Sequence, residues 1–209
     1  EEGSETREEY AGFIAKTDYF YNHISKDYSA FLKKLHDEYS IRLGCVAHYG
    51  SENFPFLPDA DEPSDNLCAL KNATFGATVA TYSNKFSDEY IANAEAKGTA
   101  KYISADRMVD LSTCLLKDTT WVIGGVNHDD RYQYQDNIML AFFRAPGNPT
   151  VDTLGYPRFS VYDRNSNTFS PMTVENGKDN ISVEKSSPLK ALFDFLTRIF
   201  NFLAKLFSK

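Results

Sequence analysis

The 209-residue sequence has no run of 18 or more apolar residues free of charge, so a membrane-spanning helix is not expected. It lacks a basic excess. Its 22 Lys and Arg stand against 29 Asp and Glu, a net charge of −7, which argues against a phosphate-binding surface and so against nucleic acid as a partner. Cysteine is scarce. Cys45, Cys68 and Cys114 include no C-x-x-C pair, and three thiols with four scattered histidines match no zinc-ligand spacing, so no metal is expected. The odd count leaves open one disulfide with a free thiol, or three buried thiols acting as small hydrophobes. There is no initiator Met and no charged segment leading into an apolar one, so no signal peptide is read; the opening Glu-Glu-Gly-Ser-Glu-Thr-Arg reads as the cut end of something longer.

What is present suits a folded chain. Hydrophobic residues are 42% and aromatics 14%, enough for one packed core with an appendage. Residues 5–39 read as helical, with Ser25 as an N-cap and Tyr28, Phe31, Leu32, Leu35 and Tyr39 at helical spacing. Ile41–Tyr49 is mostly apolar, ends at Gly50 and reads as a buried strand. Residues 51–66 are rich in Pro, Asp, Ser and Asn and read as a loop. Residues 67–82 suit a short helix with one small-residue side, and 88–96 suit another helix. Thr119–Val126 reads as a second buried strand, with Asn127-His128-Asp129-Asp130 just past its end, and residues 134–143 as a helix stopped by Ala145-Pro146-Gly147. Residues 156–162 and 168–173 flank a polar turn and predict a β-hairpin. Helices interleaved with buried strands give an α/β fold. The chain divides into 1–150 as the main body, 151–173 as a β-hairpin extension, 174–187 as a polar linker and 188–209 as an amphipathic helical tail.

Two loops carry chemistry. The loop after the first strand holds Asp65, with Asp59 and Asp61; the loop after the second holds His128. In open α/β sheets, ligands and reactive groups gather at the carboxyl ends of strands. An acid followed by a histidine is the order of the back half of a Ser…Asp…His triad. Asp110 is a rival acid, in a polar stretch (104–110) that reads as solvated surface. Asp129 and Asp130 read as modulators of His128 or caps of the following helix. Asp59, Asp61 and Glu62 have the oxygen ligands calcium takes but not the spacing of a known loop, so a solvated acidic turn is the expectation. His23 and His36 read as surface or packing residues; His48 lies near a strand's carboxyl end, where a cleft is the alternative to packing, and Trp121 reads as core.

The stretch Ser64-Asp65-Asn66-Leu67-Cys68-Ala69-Leu70-Lys71-Asn72-Ala73-Thr74-Phe75-Gly76-Ala77 resembles the acid loop of lipase-like α/β-hydrolases, with Asn66 where that family usually has Gly. Thr119-Thr120-Trp121-Val122-Ile123, running into Val126-Asn127-His128, resembles its last core strand and histidine loop, and the helix near 135–143 its closing helix. The resemblance spans roughly residues 25–145. It implies the back half of an α/β-hydrolase-type parallel sheet and a carboxylic ester hydrolase of the lipase or esterase kind. Asp65 and His128 would be the catalytic acid and base, the substrate a small-molecule or lipid ester, and no cofactor is implied. The family's Gly-x-Ser-x-Gly elbow is missing; Tyr49-Gly50-Ser51-Glu52-Asn53 comes nearest and lacks the second Gly. The nucleophile, and an N-terminal portion of the same protein that carries it, are therefore expected upstream. The competing readings are a non-catalytic, secreted or surface-associated binding module tethered by its tail, and a pseudo-enzyme that kept the fold without the nucleophile.

The tail, residues 188–209, places Leu and Phe around a narrow polar stripe and carries a net +3 against the chain's −7. Such a helix suits a membrane interface, self-association, or docking on the body, and leans toward a secreted or membrane-surface address.

Overall fold

The computed structural model describes Gly12 and residues 28–50, 61–65, 68–128, 130 and 132–179. The predicted tail helix at 188–209, the N-cap at Ser25 and the histidine at position 23 lie outside these residues. The chain forms two compact units, Glu1–Leu43 and Gly44–Lys209. Among the described residues no helix is long and apolar enough to cross a membrane.

In the first unit, helix α1 spans Tyr28–Asp37. Leu32 is buried while Phe31 and Tyr39 are exposed, so only part of the predicted stripe is covered. Lys33 pairs with Asp37 and Lys34 with Glu38, each one turn apart on the exposed side.

The second unit is built on a mixed four-stranded sheet. Strand β1 (Cys45–Tyr49) alternates buried and half-buried residues. Helix α2 (Leu70–Ala73) leads to the short pair β2 (Thr78–Val79) and β3 (Val109–Asp110), with helix α3 (Asp88–Ala96) between them. Strand β4 (Thr120–Gly124) is buried along its whole length. Helix α4 (Gln133–Arg144) and the single turn α5 (Val151–Leu154) precede β5 (Phe159–Asp163) and β6 (Thr168–Pro171), and α6 covers Asn176–Asp179. The sheet order is β1-β4-β5-β6, with the first two pairings parallel and the last antiparallel. A central parallel strand buried on both faces reads as a continuous apolar run, which is why β4 is legible as Thr-Trp-Val-Ile-Gly.

Three sequence expectations change. Residues 67–82 are not one helix. Phe75 and Gly76 take positive φ (56° and 98°), which ends α2 after one turn and releases the chain into β2. The hairpin is present, but it is no extension: β5 pairs with β4 at Val122–Phe159, Ile123–Ser160 and Gly124–Val161, so it completes the sheet. The stretch 104–110 is buried rather than solvated, with Ser104, Asp106 and Asp110 each at most 4% exposed. Its polar atoms are satisfied internally. Asp106 accepts hydrogen bonds from the Tyr49 hydroxyl and the Ser104 hydroxyl at 2.5 Å each, and from the Met108 amide at 3.2 Å.

Packing separates the sheet's surroundings. Tyr49, Leu70, Met108, Val109, Leu111 and Val122 form the largest cluster; Trp121 packs edge-on against Phe142 of α4, with ring centroids 5.9 Å apart. Asp61, in the expected acidic turn, ties a loop: its carboxylate accepts from the Ser83 amide at 2.9 Å and from the Ser83 hydroxyl, and Asp59 lies outside the described residues.

Candidate functional site

Because β1 and β4 run parallel in register, with Tyr49 beside Gly124, both strands release their chains at the same end of the sheet. The two exits are stitched together: the Gly125 amide donates to the Tyr49 carbonyl at 2.7 Å, and the Gly50 amide to the Ser64 carbonyl at 3.2 Å. Gly125 takes φ 79°, turning the chain off β4 through buried Val126 toward His128. From the other exit the chain returns through Pro63 and Ser64 to Asp65. Two links then join the loops directly. The His128 amide donates to the Asp65 carbonyl at 2.7 Å, and His128 Nδ1 lies 2.9 Å from Asp65 Oδ2 across 63 residues of sequence.

Asp65 is 7% exposed and its other carboxylate oxygen is used as well, accepting from the Cys68 amide at 2.7 Å. The carboxylate is thus fixed from both sides. An ionised carboxylate only accepts, so the shared proton sits on Nδ1 and the lone pair of the neutral imidazole sits on Nε2. The His128 side chain is 43% exposed, so the pair is anchored at its acid end and accessible at its imidazole end.

The neighbours are informative. Asp130 accepts from the Asn127 amide at 2.9 Å and faces Arg164 at 3.5 Å, so it tightens the histidine loop and ties it to the end of β5. It does not cap α4, which begins at Gln133 behind Tyr132, an N-cap position without a side-chain hydrogen bond. Asp129 lies outside the described residues. His48, on β1, lies near enough to feel the charges of Asp65, Asp130 and His128. Its imidazole is pushed below the ordinary histidine value, chiefly by burial, and its Nε2 is buried without a hydrogen-bond partner. Asp110, the rival acid, is engaged elsewhere: it accepts from the Tyr90 hydroxyl and from the Ser112 amide, both at 2.8 Å. His36 is exposed beside the Ile41 carbonyl, and Trp121 is fully buried.

Sequence reasoning missed Cys68 as a member of this group. Its Sγ, a carboxylate oxygen of Asp65 and a ring nitrogen of His128 lie within 4.8 Å of one another. The available signal was the Asp65-x-x-Cys68 spacing, which an aspartate closing a turn onto the amide three residues on makes intelligible. None of the three cysteines is bridged; Cys45 and Cys114 are buried and Cys68 is exposed. Burial pushes the Cys45 thiol up to about 12, as an inert core thiol should be.

These observations define an α/β protein whose parallel strands deliver a hydrogen-bonded Asp–His pair to one end of the sheet. No protein-family model, curated protein or solved structure matches the chain.

Proposed function

We infer that the chain is the back half of an α/β-hydrolase-type ester hydrolase, with His128 as general base and Asp65 as the residue that orients it. The observation that carries this reading is the 2.9 Å Nδ1–Oδ2 bond between residues 63 apart in sequence, at the shared carboxyl end of two parallel strands. In the proposed reaction Nε2 of His128 takes the proton of an attacking hydroxyl as the carbon–oxygen bond to the ester carbonyl forms. Nδ1–H stays with Asp65, whose negative charge stabilises the imidazolium. The same imidazolium then returns its proton to the leaving alkoxide.

Cys68 is a poor candidate for the nucleophile. Burial and the adjacent Asp65 carboxylate both push its thiol up, against formation of the thiolate. No Gly-x-Ser-x-Gly occurs in the 209 residues, so the reading assigns the nucleophilic serine to sequence outside them. The apolar, basic-striped composition of 188–209 favours an ester presented at a lipid surface.

The test is p-nitrophenyl ester hydrolysis by the full-length gene product. His128→Ala and Asp65→Asn are each expected to lower kcat by about 10³–10⁴-fold, because each removes the correctly oriented base. Parental rates in His128→Ala would rule the reading out.

A further inference from the structure

The group at the sheet end holds one side chain that the ester reading leaves idle. Cys68 is the exposed cysteine of the three, and its sulfur stands in one cluster with a carboxylate oxygen of Asp65 and a ring nitrogen of His128. Thiolate, imidazole and carboxylate are the three ligand types that zinc accepts, and three protein ligands with one open position is the arrangement of accessible zinc sites.

We propose that Asp65, Cys68 and His128 bind a thiophilic divalent cation of the zinc class through one oxygen, one sulfur and one nitrogen, with the fourth position left to water. Tetrahedral bonds of about 2.0–2.3 Å hold ligand atoms roughly 3.3–3.8 Å apart, so the 2.9 Å Nδ1–Oδ2 pair opens slightly and the wider gaps of the 4.8 Å cluster close by roughly 1–1.5 Å. Two of the ligands are already held. The backbone bond from His128 to Asp65 fixes the two loops against each other, and the Cys68 amide fixes the Asp65 carboxylate. The Nδ1–Oδ2 hydrogen bond gives way to the cation, and the exposed thiol swings in by side-chain rotation.

The proton balance is simple. The cation takes the Nδ1 lone pair, so the proton that Nδ1 shares with Asp65 passes through solvent to Nε2; it also takes the thiolate, and the thiol proton goes to solvent. Binding therefore strengthens as pH rises. The cation also claims the imidazole that would act as base, so it silences hydrolysis. That consequence, unlike the binding itself, rests on the esterase reading.

Cobalt(II), a spectroscopic stand-in for zinc, tests the site on the purified chain without any activity assay. Titration should give a thiolate-to-cobalt band and the visible bands of four-coordinate cobalt, saturating at one ion per chain and erased by excess zinc. Cys68→Ser, at an exposed position, should abolish the thiolate band and weaken binding by more than about tenfold. Asp65→Asn and His128→Ala should weaken it by at least as much. A folded parent that shows no cobalt-dependent band, or a band that survives Cys68→Ser, overturns the proposal. An Asp65→Asn protein that binds as tightly as the parent overturns the three-ligand site. Failure of ester hydrolysis leaves these readings untouched, and a missing cobalt band leaves the hydrolysis test untouched.

Discussion

Asp65 uses three acceptors for three tasks. Oδ1 closes the turn onto the Cys68 amide, Oδ2 meets His128 Nδ1, and the main-chain carbonyl takes the His128 amide. His48 sits close by in a different situation, half-buried with its Nε2 shielded from solvent, and burial holds it below its ordinary pKa despite the pull of Asp65 and Asp130 and of Gln135 nearby. A histidine depressed in the fold binds fewer protons there than in the unfolded chain, whose value is about 6.5. Stability therefore falls as pH drops below about 6.5, because acid favours the unfolded state. Urea melts of the parent should show a clear loss of midpoint between about pH 7.5 and about pH 5.5, and His48→Gln should flatten that difference. An equal loss in both proteins would remove His48 as the cause. At this scale the sequence points to Asp65 and His128 because each lies in the loop that follows a buried strand, and the structure brings the two within 2.9 Å. His48 reads as packing near the carboxyl end of β1; the charges it feels come from loops distant in sequence, which local pattern does not show.

Elements were legible where one local rule dominates. Helix α3 runs from Asp88 to Ala96 behind Ser87, whose hydroxyl accepts from the Tyr90 amide at 3.2 Å, and its start follows from that cap. Strand β4 announces itself by unbroken apolarity. Residues 67–82 read as one helix because a row of small residues fits a helix as well as a turn, and only the left-handed backbone at Phe75 and Gly76 decides between them. The attachment of β5 to β4 was invisible, since nothing in a hairpin's own sequence states which edge it joins. The packing makes β4 the element on which the sheet depends most. Trp121 is fully buried against Phe142, and its Nε1 has no hydrogen-bond partner. Trp121→Ala should cost about 3–5 kcal/mol in a denaturant melt. Trp121→Phe should cost clearly less, since it keeps the ring contact and removes the unpartnered donor. Equal costs would mean that Nε1 finds a partner in solution.

On the scale of the molecule, parallel pairing is what turns two distant loops into one site. Had β1 and β4 paired antiparallel, Asp65 and His128 would leave the sheet at opposite ends. In the observed register Tyr49 and Gly124 are neighbours, and the returning end of β5 brings Arg164 to Asp130 on the same rim. The order strand, acid, strand, histidine is written in the sequence, but the shared end depends on pairing across some seventy residues, which local patterns do not encode. Imidazole ¹⁵N NMR of the folded chain measures the outcome at the atoms concerned. Neutral His128 should be the Nδ1–H tautomer, with that proton shifted downfield by Asp65, and Asp65→Asn should abolish both features. An Nε2–H tautomer in the parent, or a His128 spectrum unchanged in Asp65→Asn, would contradict the account.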